Sequence, residues 1–598
     1  MVKKSPLGAA TLSQWLFGLM FSLPFLLPFH SLPLPSFHSE WLAMLLALLG
    51  CIPLLFTGSL ELPRIALAPL ALTLVVGLQW LLGMFAYGAT ALMLALFLIW
   101  CALLAMAGRT LAARLDLSAF SDAGGDNARF YSTLAWFLFV GGMLNAFAGL
   151  LQYGQMWRAF GGWISEPMSL SEFGIYGNLA QQNHFATHLA LALASSTYLC
   201  LSRQLARGWF AASALVLLLA LVLSGSRSSF LYLLWIVALV LWLRRSDNAS
   251  RLLRRAGWLA LALVIAMLIL AWLALHYGKQ VPQLQRLLTL AGAIGVRGFL
   301  WQHALAMFFS KPLLGVGMDA FAWQLVEQLQ DAHELNQWGI DQYAHNLPLQ
   351  LLAGAGLSGF VVVAWPAWRF VQRQLTLPTS LPRMWFAAVC GILLIHSMLE
   401  QPLFFAYFLG IFAFLLGSAE RDAWHGALHS GRRAGAGLLL VVALGVLLKT
   451  GFDYDLIDGY LYSGRYGNGN SEQVIDERHQ AILDLHRTSL FAPLLELAAP
   501  ADFVPDNAPV KDKLAFNLRL LHYAPIAEAE FRQAVLLTAD GRLPEARVQL
   551  QRAVYAYPAE GEAYLPRFNA LAQNDPATYA ELAHYANLLF GQLLNKPK

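Results

Sequence analysis

Apolar runs long enough to cross a bilayer recur along the first three quarters of this 598-residue chain. Each crossing needs about 20 such residues, and a window of that length places spans near 9–29, 40–57, 65–84, 86–107, 130–152, 184–201, 208–224, 228–243, 256–276, 346–365, 384–400, 402–418 and 434–451. The expected fold is all-α: a polytopic integral membrane protein with about 13 (11–14) transmembrane helices, since lipid-exposed backbone must satisfy its own hydrogen bonds. Composition agrees. Only 12% of residues are charged and 58% are hydrophobic, whereas soluble domains carry about 25% charge. With 37 Phe and 19 Trp, disordered and collagen-like chains are excluded too. Pro24, Pro28, Pro53 and Pro402 interrupt or abut spans, so re-entrant helices are an alternative there. Lys3 and Lys4 precede an apolar stretch that passes Phe25 without a small-residue cleavage site, which reads as an uncleaved first span.

Lys and Arg in short loops set orientation. With the N-terminus cytoplasmic, nineteen fall on the inner side and six (Arg158, Arg227, Lys279, Arg286, Arg297 and Lys311) on the outer side. That topology puts 153–183, 277–345 and everything after about residue 452 outside. The expected organisation is therefore spans one to nine over 1–276, a large outer loop with surface helices over 277–345, spans ten to thirteen over 346–451, and a soluble helical domain over 452–598. In that tail, LLTADGRLPEARVQLQRAVYAYP reads as two helices joined at Gly541-Arg542-Leu543-Pro544 and closed by Pro558, the layout of a tetratricopeptide pair. Helices around 472–487, 511–537 and 577–592 would complete the stack. The net charge of +4 divides into +10 up to residue 451 and −6 beyond it. The acidic tail is thus suited to meeting a protein rather than a phosphate.

Cys51, Cys101, Cys200 and Cys390 all lie in apolar runs, which indicates neither disulfides nor a metal site. Ionisable residues near hydrocarbon are costly and mark function. Arg227 sits in LVLSGSRSSFLYLLW among Ser224, Ser226, Ser228 and Ser229, a ready anion site beside a helix N-terminus, or a plain turn Arg at the interface. Arg297 precedes a helical stretch ended by Lys311-Pro312 and Gly315-Val316-Gly317. His345 stands where the tenth span begins; it can exchange a proton near neutral pH, or merely cap that helix or bond Asn346. Gln181, Gln182 and Asn183 lead into His184 and His188, one turn apart. That spacing allows chelation, but with no nearby third ligand a hydrogen-bonded polar cluster is favoured over a metal. His396 and Glu400 end the eleventh span, with Tyr407 beyond Pro402; Glu400 at that depth calls for a partner, for which Arg227 or Arg297 is expected. Two arginines, a histidine, an amide cluster and a carboxylate on the outer side suit an enzyme acting on a lipid-linked phosphate, arginines matching a diphosphate in bidentate fashion. No paired-Asp Mg²⁺ motif is in view.

The order of Arg227 in G-S-R-S, then Arg297 to Gly317 with W, K-P and G-x-G, then H-N-L-P-L-Q-L from His345, resembles the O-antigen ligase and polymerase superfamily. Within it, Q-Q-N-H-F-A-T from Gln181 and H-S-M-L-E-x-P-L-x3-Y from His396 to Tyr407 are similar to bacterial PglL-type O-oligosaccharyltransferases, the pilin glycosylation ligases. The pattern departs at Glu400-Gln401-Pro402, where an apolar residue is expected between Glu and Pro. The resemblance implies en bloc transfer of a preassembled glycan from undecaprenyl diphosphate to Ser or Thr hydroxyls of periplasmic proteins such as pilins, at the bacterial inner membrane, with no cofactor, metal or nucleic acid. It implies that Arg227 and Arg297 hold the diphosphate and that His345 orients or deprotonates the acceptor. Gln182, Asn183, His184 and Tyr407 would line the sugar and acceptor site, and Glu400 would order the arginines. An O-antigen ligase or polysaccharide polymerase using the same donor is the alternative. A lipid-linked glycan transporter is a third reading, but it would spread polar residues across the midplane and both faces.

Overall fold

The computed structural model describes residues 6–115, 126–167, 174–243, 261–262, 264–265, 268–269, 272, 290–329, 340–377, 380–466 and 472–594. The described architecture is overwhelmingly helical, that of an all-α polytopic membrane protein. Among the described residues, seven helical segments are long and apolar enough to cross a membrane: Gly8–Leu26, Phe37–Phe56, Arg64–Leu81, Gly88–Arg114, Arg129–Tyr153, Leu347–Thr376 and Ser430–Tyr462. Arg207–Leu223, Ser228–Leu239, Leu381–Ser397 and Ala406–Ala419 are shorter apolar helices. Most of the expected span near 256–276 lies outside the described residues.

The chain divides into two compact units. The first comprises Met1–Ala71, Leu98–Ala291 and Val363–Gly451. Its centre is the Gln182–Leu201 helix, buried along nearly all its length. The helix starts where it does because the Gln181 side chain accepts from the His184 N–H, satisfying one of the donors a helix start leaves unpaired. Its Ala- and Leu-rich sides admit close neighbours: Gly142 on the Asp126–Tyr153 helix would drive an added Cβ into the Ala192 methyl at 2.2 Å. Ser380 caps the Leu381–Ser397 helix through the Arg383 N–H, with Pro382 in the first turn. Among the described residues, an antiparallel pair of strands departs from the helical expectation, Ser59–Pro63 and Ala423–Ala427, with Ser59 opposite Ala427 and Pro63 opposite Ala423. Five-residue strands separated by more than 350 positions leave no periodic signal to read.

The second unit comprises Leu72–Phe97, Gly292–Val362 and Phe452–Lys598. The Leu347–Thr376 helix is broken at Gly356, which has φ 62°. There the 312–317 segment stitches itself to the break: Val316 and Gly317 donate to the Ala353 and Gly354 carbonyls, and Leu357 and Ser358 donate to Pro312 and Leu313. The tail folds as successive helices: Glu472–Thr488, Val510–Tyr523, Ala527–Ala539, Leu543–Ala556, Pro558–Asn574 and Pro576–Leu594. The segment read as 511–537 is two helices, because Pro525 cannot donate a backbone hydrogen bond. Phe531, Ala534, Ala546, Leu550, Ala553, Phe568, Ala586 and Phe590 belong to the core shared by the Val510–Tyr523 helix and the four that follow it.

Candidate active site

In the first unit, the residues singled out by sequence meet through Asn183. Its Nδ2 donates to Glu400 Oε1 at 3.1 Å, and its Oδ1 accepts from Ser226 Oγ at 2.7 Å. The Gln-Asn-His motif, the serine loop holding Arg227 and the carboxylate at the end of the Leu381–Ser397 helix are thereby joined. Arg227 itself is half-buried among four buried serines. The turn carrying it is tight, with Gly225 at φ 72° and the Ser224 hydroxyl accepting from the Ser226 N–H. Gln182 opens the helix that carries Asn183.

The next residue, His184, bonds the Tyr407 hydroxyl through Nδ1 at 3.0 Å. The Thr187 hydroxyl lies 2.8 Å from both the Tyr232 hydroxyl and His396 Nδ1. His188 bonds Asn145 at 3.2 Å and stacks on Phe25 with ring centres 4.1 Å apart. The two histidines therefore turn to different protein partners, the arrangement of a hydrogen-bonded cluster. The loop before them is pinned by amides that sequence reading missed. Gln152 accepts from the Tyr176 and Gly177 N–H groups and donates to the Ser165 and Gly177 carbonyls. Asn178 donates to the Leu26 and Trp163 carbonyls. Buried amides satisfied on both ends rigidify what they hold.

The second unit carries Arg297 and His345. Arg297 lies inside the Leu290–Ser310 helix rather than ahead of it; Gly295 and Gly298 make its surroundings read as a helix start, and tertiary packing overrides that weak propensity. His345 is not the cap of the following helix. Asn346 takes that place, its Oδ1 accepting from the Leu349 N–H at 3.2 Å, while Gln350 reaches back to the Ala344 N–H at 2.7 Å. His345 sits in the left-handed region, φ 49°, a strained backbone for a branched or bulky side chain. Trp301, one turn beyond Arg297, donates to the Ala344 carbonyl at 3.1 Å, and Leu300, Ala304, Met307, Val316, Phe321 and Ala344 form one core. The arginine helix and the histidine loop are thus fixed to each other. Gln79 braces the join between the 312–317 segment and the Gly356 break, donating to the Leu314 and Gly354 carbonyls at 2.7 and 2.8 Å.

The tail packs into the same unit. Buried Glu496 accepts from Tyr87 at 2.6 Å and from Arg519 at 2.8 and 3.0 Å, and bonds His486 at 2.8 Å. Glu327 pairs with Arg552 at 2.7 Å. Burial pushes the Glu327 carboxyl above its usual range, with Arg552 opposing. Among the described residues, no group of three His, Cys, Asp or Glu is placed to hold a metal.

These elements coincide with the segments that known families match. Residues 212–364 match the O-antigen ligase family, 175–200 a protein glycosylation ligase family, and 384–567 the C-terminal part of a virulence factor membrane-bound polymerase family. The chain is a member of the O-antigen ligase superfamily. It is similar to the general O-oligosaccharyltransferase of Acinetobacter baylyi (strain ATCC 33305 / BD413 / ADP1), with 27% identity over 412 residues, 67% of this chain and 68% of that protein. Within the superfamily the chain is a PglL-type O-oligosaccharyltransferase, a glycosyltransferase of the membrane.

Proposed function

We propose that the enzyme moves a preassembled oligosaccharide en bloc from undecaprenyl diphosphate to Ser or Thr hydroxyls of periplasmic acceptor proteins such as pilins. In this reading the chain lies in the bacterial inner membrane with about 13 spans. The N-terminus is cytoplasmic, and the 277–345 loop and the 452–598 domain are periplasmic. The tail is a tetratricopeptide-like stack whose negative charge suits a protein acceptor. The observation that carries the reading is the Ser226–Asn183–Glu400 chain, which ties the Arg227 loop to the amide motif of protein glycosylation ligases.

In this mechanism Arg227 and Arg297 bind the diphosphate and stabilise charge as it leaves, an electrostatic role that needs no metal. His345 takes the acceptor hydroxyl proton. The oxygen bonds the anomeric carbon, the bond from that carbon to the phosphate oxygen breaks, and the diphosphate departs with the electron pair. Gln182, Asn183, His184 and Tyr407 line the sugar and acceptor side, and Glu400 keeps the polar cluster in register. The test is co-expression with a pilin and a lipid-linked glycan pathway. Glycan mass on the pilin supports the reading. Glycan appearing on lipopolysaccharide alone would replace it with the ligase alternative.

A further inference from the structure

The geometry points to Asp341 as a positioning residue for transfer: its carboxylate holds the His345 ring in one tautomer and orientation for the acceptor hydroxyl. The inference rests on the reading of His345 as the group that meets that hydroxyl. His345 Nε2 lies 3.3 Å from Asp341 Oδ1. In a helix, an exposed pair four residues apart is worth little. Here the pair lies in a loop, the imidazole is only 18% exposed, and both ends of the loop are anchored independently. Ile340 packs against Val326, Leu329 and Ala556. Ala344 is held through both its N–H and its carbonyl, by Gln350 and Trp301.

The left-handed backbone at His345 needs such surroundings to persist, and it brings the ring back over Asp341. When Nε2–H donates to a carboxylate, the neutral imidazole carries its lone pair on Nδ1, the nitrogen that can then accept a proton. The same carboxylate stabilises the imidazolium formed as that proton arrives. Asp341 touches no substrate in this role. It sets which nitrogen is basic and where that nitrogen points.

The test uses the purified full-length chain in lipid, a lipid-linked oligosaccharide donor and an acceptor peptide, comparing wild type with D341A, D341E and H345A. D341A is expected to lower kcat about tenfold or more, the scale of a compromised general base, with acceptor KM nearly unchanged and the same thermal midpoint. D341E, which keeps the charge and the acceptor oxygen, is expected to recover part of the loss. Wild-type kcat in D341A overturns the inference, as does a change confined to KM or a loss that D341E does not recover at all. Wild-type transfer by H345A would instead remove the underlying reading of His345.

Discussion

Gly315 and Gly356 lie so close that neither can carry a side chain: a Cβ on Gly356 would meet the Gly315 nitrogen at 2.6 Å, and one on Gly315 would meet the Ala353 carbonyl oxygen at 2.5 Å. Both have positive φ, 68° and 62°. The two glycine motifs on either side of His345 are therefore the two halves of one backbone crossing. Gly356→Ala is expected to cost about 1–3 kcal/mol for the φ alone, plus whatever backbone shift relieves the contact. Thermal unfolding of the detergent-purified variant checks this; an unchanged midpoint would show the crossing to be dispensable.

Asn183→Leu removes the hydrogen bonds that Asn183 makes with Ser226 and Glu400. Losing a hydrogen bond of this kind costs about 0.5–1.5 kcal/mol, more where one partner is charged, and here the loss loosens the Arg227 loop against the carboxylate. Transfer to acceptor protein is expected to fall about tenfold or more at similar membrane abundance, measured by acceptor glycoform mass and immunoblotting of the enzyme.

Arg227→Ala and Arg297→Ala should each weaken use of the lipid-linked donor far more than abundance. Lys at either position is expected to recover only part, since an ammonium lacks the bidentate fork. Donor titrations in membranes give the comparison; a parallel drop in abundance would make the residue structural.

Glu530 in the tail is fully buried, accepts from Gln549 through Oε2, and has no partner at Oε1 among the described residues. Burial raises its pKa to about 8. The folded chain thus holds a proton that the unfolded chain releases above about 4.5, so stability falls as pH rises from there and levels off past about 8. Glu530→Gln is expected to raise the thermal midpoint at pH 7.5 by about 2–4 °C per kcal/mol regained and to flatten its slope over pH 5–8.

Much of this was legible in the sequence because hydrocarbon-length runs and helix punctuation are local signals. The Gln182–Leu201, Arg207–Leu223 and Leu381–Ser397 helices fall within a few residues of their expected bounds, as does the Gly541 turn between tail helices, with φ 77°. Types and order also singled out Asn183, His184, Glu400 and Tyr407, which do meet. Gln79, Gln152 and Asn178 escaped notice because one amide in an apolar run looks alike whether it braces a backbone crossing or faces a neighbouring helix. Asp341 escaped because its meeting with His345 is made in a loop, where a spacing of four residues carries no periodic signal. The strand pair escaped for want of length.

The most direct measurement is reconstitution of the purified chain in lipid with an undecaprenyl-diphosphate-linked oligosaccharide and an acceptor protein, in EDTA, read by intact-protein mass. The account predicts one glycan mass added at Ser or Thr by the wild type and none by His345→Ala in the same time. Glycan added equally by both, or transfer by the wild type only after a divalent cation is restored, would contradict it.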